Sequence, residues 1–247
     1  MLLVAGCGTA VVDTSLVAQS QGSRVRFVVL HYTMGDAASS LATLTGPDVS
    51  SHYVVTEGPR PRVYRLVDES RRADHAGASF WRGHVQLNLS SIGIEIVNPG
   101  PVAGSFAPYD GAQVDAVVAL LKDIVRRHGI APDAVLGHSD IAPQRKIDPG
   151  PAFPWERLAR EGLVAWPDAA RVAALRPAYE LALPDVAWFQ QRLARHGYEV
   201  PRHGMLDTAT RNVVAAFQMK YRPRRYDGEP DAETAAVLAA LTDGAAP

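Results

Sequence analysis

A single cysteine, Cys7, stands among the 247 residues. That scarcity excludes an intramolecular disulfide and any cysteine-rich metal cluster. Nor does the chain hold a run approaching the roughly 20 apolar residues that a membrane-spanning helix needs. Neither sign of charge is in surplus: 25 basic and 26 acidic side chains leave a formal net charge of -1. A domain-wide electrostatic drive toward nucleic acid or an anionic membrane is thereby removed. The His-Glu-x-x-His helix of many zinc peptidases is also missing. What is present is a 47% hydrophobic chain, apolar enough to bury a core and long enough for one large or two modest globular units.

Residues 8–23 are small and polar with no sustained period and read as a tether. From Arg24 onward the pattern changes. Val25 to Leu30 is a β-branched, apolar run of strand length. Ser51 to Val55, Arg62 to Val67 and Ser91 to Val97 have the same character and should join it in one sheet. Between Asp110 and His128, Val114, Val117, Val118, Leu121, Ile124 and Val125 fall on one helical face. Asp110 with Gln113 has the spacing of a capping box, and Gly129 suits a left-handed exit. A short strand, Ala134 to Leu136, then delivers Gly137 and His138 to the surface. The expected first domain, residues 24–165, is α/β: a mixed β-sheet flanked by helices. Pro167, Pro177 and Pro184 mark residues 166–183 as a surface linker. Residues 184–247 form a second unit, a small all-α three-helix domain. It carries an internal repeat, G-x-x-D-x-x-T, at Gly204 to Thr210 and at Gly228 to Thr234, with each Asp placed to cap a helix.

Chemistry concentrates in two places. His31 lies just beyond the first strand, where a rigid element can present it to a cleft; a lone histidine is more often structural. The run from Gly137 to Gly150 holds His138, Asp140, Arg145, Lys146 and Asp148, too many ionisable groups for an ordinary connector. Two histidines and a carboxylate match the three protein ligands of a catalytic zinc site with a fourth position for water; these are His31, His138 and Asp148. Glu95, an acid inside the apolar strand Ser91 to Val97, is the candidate base, because unpartnered burial would cost several kcal/mol. Its alternative place is the solvated face of an edge strand. Lys146 could stabilise an oxyanion as a point charge, or could be a solvated loop lysine.

His31-Tyr32-Thr33, Ser51-His52-Tyr53, His75-Ala76-Gly77 with Trp81, Ser91 to Glu95 and Gly137 to Trp155 together resemble the amidase type 2 family of zinc-dependent N-acetylmuramoyl-L-alanine amidases. That family is related in fold to the peptidoglycan recognition proteins. The resemblance implies zinc held by His31, His138 and Asp148, with Glu95 and Lys146 catalytic. It implies hydrolysis of the amide between the muramoyl lactyl group and L-alanine of the stem peptide, and leaves open at this point whether the 1,6-anhydro sugar is accepted. Tyr53, His75 and Trp81 are candidate substrate contacts, and His52 falls near the cleft. His84, His128, His196 and His203 read as surface residues. Residues 184–242 resemble the peptidoglycan-binding domain often fused to such enzymes, with Leu193, Gly197, Asp207, Thr210, Phe217 and Gln218 in its pattern. The expected partners are peptidoglycan and muropeptides, not nucleic acid, and the expected state is a monomer.

The wording of the Gly137 to Pro151 segment is most similar to outer-membrane lipoprotein amidases within that family. Met1 to Cys7 resembles the end of a bacterial lipoprotein signal, with Cys7 as the lipidated residue, so residues 1–23 read as signal remnant and tether. An outer-membrane lipoprotein facing the periplasm is the expected location. Two rival activities stay open at this point: a recognition module that binds peptidoglycan without cleaving it, and a zinc peptidase cutting within the stem peptide.

Overall fold

The computed structural model describes residues 10–243; Cys7 and the proposed lipidation site lie outside the described residues. The apolar runs form one five-stranded sheet in the order β3-β2-β6-β1-β9. Its strands are β1 (Phe27–Tyr32), β2 (Tyr53–Val55), β3 (Val63–Arg65), β6 (Ser91–Ile96) and β9 (Val135–Gly137). β1 pairs in parallel with β6 and β9, β2 in parallel with β6, and β3 closes one edge antiparallel to β2. All six residues of β1 are buried, as a central parallel strand covered on both faces requires. Two short hairpins, β4 (Phe80–Trp81) with β5 (His84–Val85) and β7 (Pro101–Val102) with β8 (Ser105–Phe106), decorate the loops.

Helix α1 (Ala37–Leu44) follows β1, and α2 (Gly111–His128) crosses the sheet. The apolar stripe expected for α2 is buried at Val114, Val117, Val118, Leu121 and Ile124, and Gly129 takes φ 67° at its exit. Its entry differs from the capping box. Asp110 accepts the Gly58 N–H at 2.8 Å instead of capping its own first turn. Gln113, 1% exposed, donates to the carbonyl of Val97 at 2.7 Å. A distant N–H claims Asp110, and the carbonyls of Val97, just beyond β6, and Val55 of β2 claim Gln113, because an unpaired buried acceptor costs more than a lost cap. The four-residue helix α3 (His138–Ile141) follows β9 directly, and α4 (Trp155–Arg160) closes the first unit.

The second unit contains α6 (Val186–His196), α7 (Thr208–Tyr221) and α8 (Ala232–Thr242), and Asp185, Asp207 and Asp231 each cap with the N–H three residues on. The sequence repeat is a structural repeat. Gln190 accepts the Gly204 N–H at 2.8 Å and donates to the Met205 carbonyl at 3.1 Å and the Thr210 hydroxyl at 2.8 Å. One repeat later, Gln218 accepts the Gly228 N–H at 2.9 Å and donates to the Glu229 carbonyl at 2.9 Å and the Thr234 hydroxyl at 3.2 Å. The stretch read as a linker holds a helix as well, α5 (Ala169–Leu181), with Pro177 inside it and Asp168 as cap. Alanines favour that helix. None of its residues is buried, so water can satisfy the carbonyl that Pro177 leaves unpaired. It packs along α8.

The two units share one core. Trp81 of β4, 1% exposed, packs edge-on against Tyr198 with ring centres 5.0 Å apart and against His196 at 5.7 Å. Arg82 donates its backbone N–H to the Gly197 carbonyl at 2.9 Å and its Nε–H to the His196 carbonyl at 3.0 Å. His196, read as a surface residue, is therefore 6% exposed. Burial, aided by Lys220, pushes its pKa down to about 3. Deeper in the interface, Lys220 donates to Asp140 at 2.8 Å and to the Val135 carbonyl at 3.2 Å, and the Tyr198 hydroxyl donates to the other Asp140 oxygen at 2.5 Å.

Candidate active site and metal centre

The register of β1 on β6 sets His31 level with Glu95, and β9 ends at Gly137, immediately before His138. Three parallel strands thus bring their carboxyl ends to one rim, the place where open α/β sheets gather ligands. His138 is not on the surface: it is 3% exposed. The loop after α3 folds back over it, fastened where the Ser139 N–H donates to the Asp148 carbonyl at 2.9 Å. Folding the loop back also brings the Asp148 side chain inward.

His31 Nδ1, His138 Nδ1 and Asp148 Oδ2 make a triangle with sides of 2.9, 3.0 and 3.1 Å. All three residues are buried, His31 at 1% exposure. His138 Nε2 lies 3.1 Å from the Ala76 carbonyl. A carbonyl only accepts, so Nε2 carries the proton and Nδ1 offers a lone pair to the triangle. Burial and the nearby His138 bring the His31 pKa down to about 4, so its ring is neutral near pH 7. Electron-rich atoms this close in a dry pocket repel unless a cation lies among them. A tetrahedral zinc shell with bonds of roughly 2.0–2.1 Å holds its ligand atoms about 3.3 Å apart, close to this triangle. The His-His-Asp group can therefore hold a metal ion.

The triangle lies in a cleft of about 510 Å³, which Glu95 and Lys146 also line. Glu95 is in the sheet interior and not on a solvated edge strand, since β6 runs between β1 and β2. Its Oε2 is buried with no hydrogen-bond partner. Burial, reinforced by the Asp148 charge, raises its pKa well above the ordinary carboxylate value. Lys146 works in the opposite direction on the same group.

The aromatic substrate contacts read from the sequence are placed elsewhere. Trp81 is consumed by the interface with the second unit, because β4 turns its indole toward Tyr198. The Tyr53 hydroxyl donates to Glu69 at 2.6 Å, and Glu69 also pairs with His128 of α2 at 2.7 Å, so alternation along β2 turns Tyr53 away from the cleft. His52 accepts the Gly93 N–H at 3.0 Å. His75 borders the cleft, but its two ring nitrogens lie 3.0 Å from His31 Nε2 and 3.1 Å from Ser91 Oγ. Sequence reasoning missed Asn88 and Ser91, which hold this segment. The available signal was Gly93, a glycine inside a strand, which often marks a close approach. A Cβ there would stand 2.5 Å from the His75 ring.

With this geometry in hand, comparison with known proteins is specific. A family model described as N-acetylmuramoyl-L-alanine amidase, Amidase_2, matches residues 21–151, and one described as a peptidoglycan binding domain matches residues 183–238. The chain is 46% identical to the N-acetylmuramoyl-L-alanine amidase AmiD of Escherichia coli over 98% of its own length and 94% of that protein. The structure of that enzyme in complex with the substrate anhydro-N-acetylmuramic acid-L-Ala-D-gamma-Glu-L-Lys superposes with a TM-score of 0.84 over 93% of each chain. AmpDh3 of Pseudomonas aeruginosa in complex with an anhydromuramic pentapeptide is 39% identical, with a TM-score of 0.87 over 94% of this chain and 97% of that one. An amidase match over more than half of the chain, and a near full-length relative with the same sheet, place this protein in the N-acetylmuramoyl-L-alanine amidase family of type 2.

Proposed function

We propose that this protein is a zinc-dependent amidase that hydrolyses the bond between the N-acetylmuramoyl lactyl group and L-alanine in peptidoglycan fragments, for cell-wall turnover. The observation that carries the reading is the triangle of His31, His138 and Asp148 beside an unpartnered, proton-avid Glu95. Zinc, when bound, supplies Lewis-acid polarisation of the scissile carbonyl and acidifies water toward a pKa of about 7. His31, His138 and Asp148 hold it. Glu95 takes a proton from the attacking water and passes it to the departing L-alanine nitrogen. A carboxylate whose proton affinity has been raised by burial suits both steps. Lys146 sets a positive charge in the same cleft, where charge growing on the carbonyl oxygen is worth most to stabilise. The complete ligand set speaks against a binding-only module, since recognition without cleavage makes no use of a buried base.

Anhydro-muropeptides are the expected substrates, on the strength of the ligands bound by both solved relatives. The second unit is expected to hold the enzyme to peptidoglycan, and Cys7 to carry a lipid on the periplasmic face of the outer membrane. Digestion of defined anhydro-muropeptides, followed by mass spectrometry, tests the activity. Free stem peptides beginning with L-alanine should accumulate, vanish after chelation and return with zinc. Products in which every peptide keeps its muramic acid would overturn the amidase reading. Mass spectrometry of the native protein tests the anchor; an unmodified Cys7 thiol would remove it.

A further inference from the structure

The outer ring nitrogens of both histidines in the triangle end on one dipeptide. His138 Nε2 donates to the Ala76 carbonyl at 3.1 Å, and His31 Nε2 lies 3.0 Å from Nδ1 of His75. Following the second contact outward fixes its direction. Ser91 Oγ lies 2.6 Å from the Leu87 carbonyl and 3.1 Å from His75 Nε2. A carbonyl cannot donate, so the one hydroxyl proton of Ser91 points to Leu87 and its oxygen is left to accept. His75 must then donate from Nε2. The ring partners of this buried histidine are an imidazole and a hydroxyl, with no carboxylate among them to hold a second proton; protonated at Nε2 alone, the ring has a bare Nδ1, which accepts from His31 Nε2–H. His31 is thereby set in the tautomer whose Nδ1 lone pair faces Asp148 and His138.

Two further features maintain the dipeptide. Asn88 Oδ1 accepts the backbone N–H of His75 at 3.1 Å and of Ala76 at 2.7 Å. Gly93 gives up a side chain in the middle of β6 where the His75 ring passes, since even a Cβ would lie 2.5 Å from it. Neither feature touches the cleft.

We propose that His75-Ala76, clamped by Asn88 and oriented through Ser91, is the outer shell of the metal centre. It makes both histidines present Nδ1, with His75, Asn88 and Ser91 as positioning residues and not substrate contacts. This rests on reading His31, His138 and Asp148 as the metal ligands. Outer-shell partners of a ligating histidine typically change metal affinity by 10–100-fold when removed.

The test combines zinc affinity, by competition with a chromophoric chelator, with ¹⁵N-detected histidine tautomers. Wild-type protein must first bind one zinc per chain; failure there defeats the metal reading itself. Given that, the metal-free wild type should show His31 and His75 as Nε2–H tautomers. His75→Phe should weaken zinc binding by about 10–100-fold, and Ser91→Ala by about 10-fold or less. His75→Asn, whose amide oxygen can stand where Nδ1 stood, should recover most of the loss. An Nδ1–H tautomer at His31 in the wild type, or unchanged zinc affinity in His75→Phe, would overturn the proposal. The tautomer measurement needs no variant, so it decides even where a substitution fails to fold.

Discussion

His138 and Asp140 sit two residues apart on α3, yet the buried polar clusters they join are built in opposite ways. Around Asp140 every charge is answered inside the chain. One carboxylate oxygen takes Lys220 at 2.8 Å and the Gly137 N–H at 2.8 Å, and the other takes Tyr198 at 2.5 Å. Lys220 in turn lies 4.4 Å from the centre of the Trp155 ring. Around His138, three acceptors face one another within about 3 Å, and among the described residues no side-chain cation is hydrogen-bonded to any of those three atoms, Arg145 reaching only the outer nitrogen of His138. Burial is the same, but the balance of donors and acceptors is not. A saturated cluster holds a structure together, whereas an electron-rich one is unfinished until something positive enters. Because one short turn carries both, the ion pair from the second unit steadies the backbone from which His138, the proposed metal ligand, projects.

Four changes would break or sharpen this contrast. The largest effect belongs to Asp148→Asn, which removes the anionic corner of the unfinished cluster. Zinc content, measured by elemental analysis, should fall to background. Turnover should drop by roughly 10³-fold or more, the loss of several kcal/mol of transition-state stabilisation. Zinc should raise the melting temperature of the wild type and leave that of the variant unchanged. Glu95→Gln keeps the shape and removes the proton acceptor. Turnover should fall by about 10²–10⁴-fold while zinc content stays at the wild-type level; normal rates would disqualify Glu95.

The saturated cluster should respond in stability. Lys220→Met leaves the Asp140 carboxylate buried without its cation, and urea unfolding should show a loss of about 3–5 kcal/mol. Adding Asp140→Asn to the same chain should recover part of that loss, because the unanswered charge goes with it. A Lys220→Met protein of unchanged stability would show that water reaches Asp140 and that the comparison is drawn too sharply.

The smallest effect is a pH dependence from His196, which faces Lys220, Asp140 and Arg82. Its folded pKa, about 3, lies below the ordinary histidine value of 6.5, so the unfolded chain binds more protons between those two values. The stability that depends on a neutral ring is complete above pH 6.5 and is lost as pH falls toward 3. The expected loss between pH 7 and pH 5 is about 2 kcal/mol. Unfolding free energies of wild type and His196→Phe at those two pH values check it: the variant should show the flatter profile.

Periodicity and punctuation in the chain were enough for the five strands of the main sheet, for the stripe of α2 and for the Asp-capped repeat, since each depends on neighbours within one turn or one pleat; the two-residue strands of the hairpins were too short to show a period. The same local signals misled wherever a distant group competed. Asp110 has the spacing of a helix cap but binds Gly58. Pro177 reads as a break, yet a solvated helix face tolerates it. Trp81 and His196 look like cleft and surface residues, but they pack on each other across the two units. In the candidate site, residue type and spacing pointed to His31, Glu95, His138, Lys146 and Asp148. Their supports, Asn88 and Ser91, carry no signal of their own, because an asparagine or serine in a loop or at a strand start has many ordinary uses.

The sequence by itself determined which chemistry was available: with one cysteine and eight histidines, any metal centre would have to be built from imidazole and carboxylate. It also determined the local elements, whose hydrogen bonds close within a few residues. Only the tertiary structure decided which of those groups would meet. His31 and Asp148 are 117 residues apart in the chain and 3.0 Å apart in space. Strand order, register and the fold-back of one loop set that distance, and all three depend on packing the whole core at once.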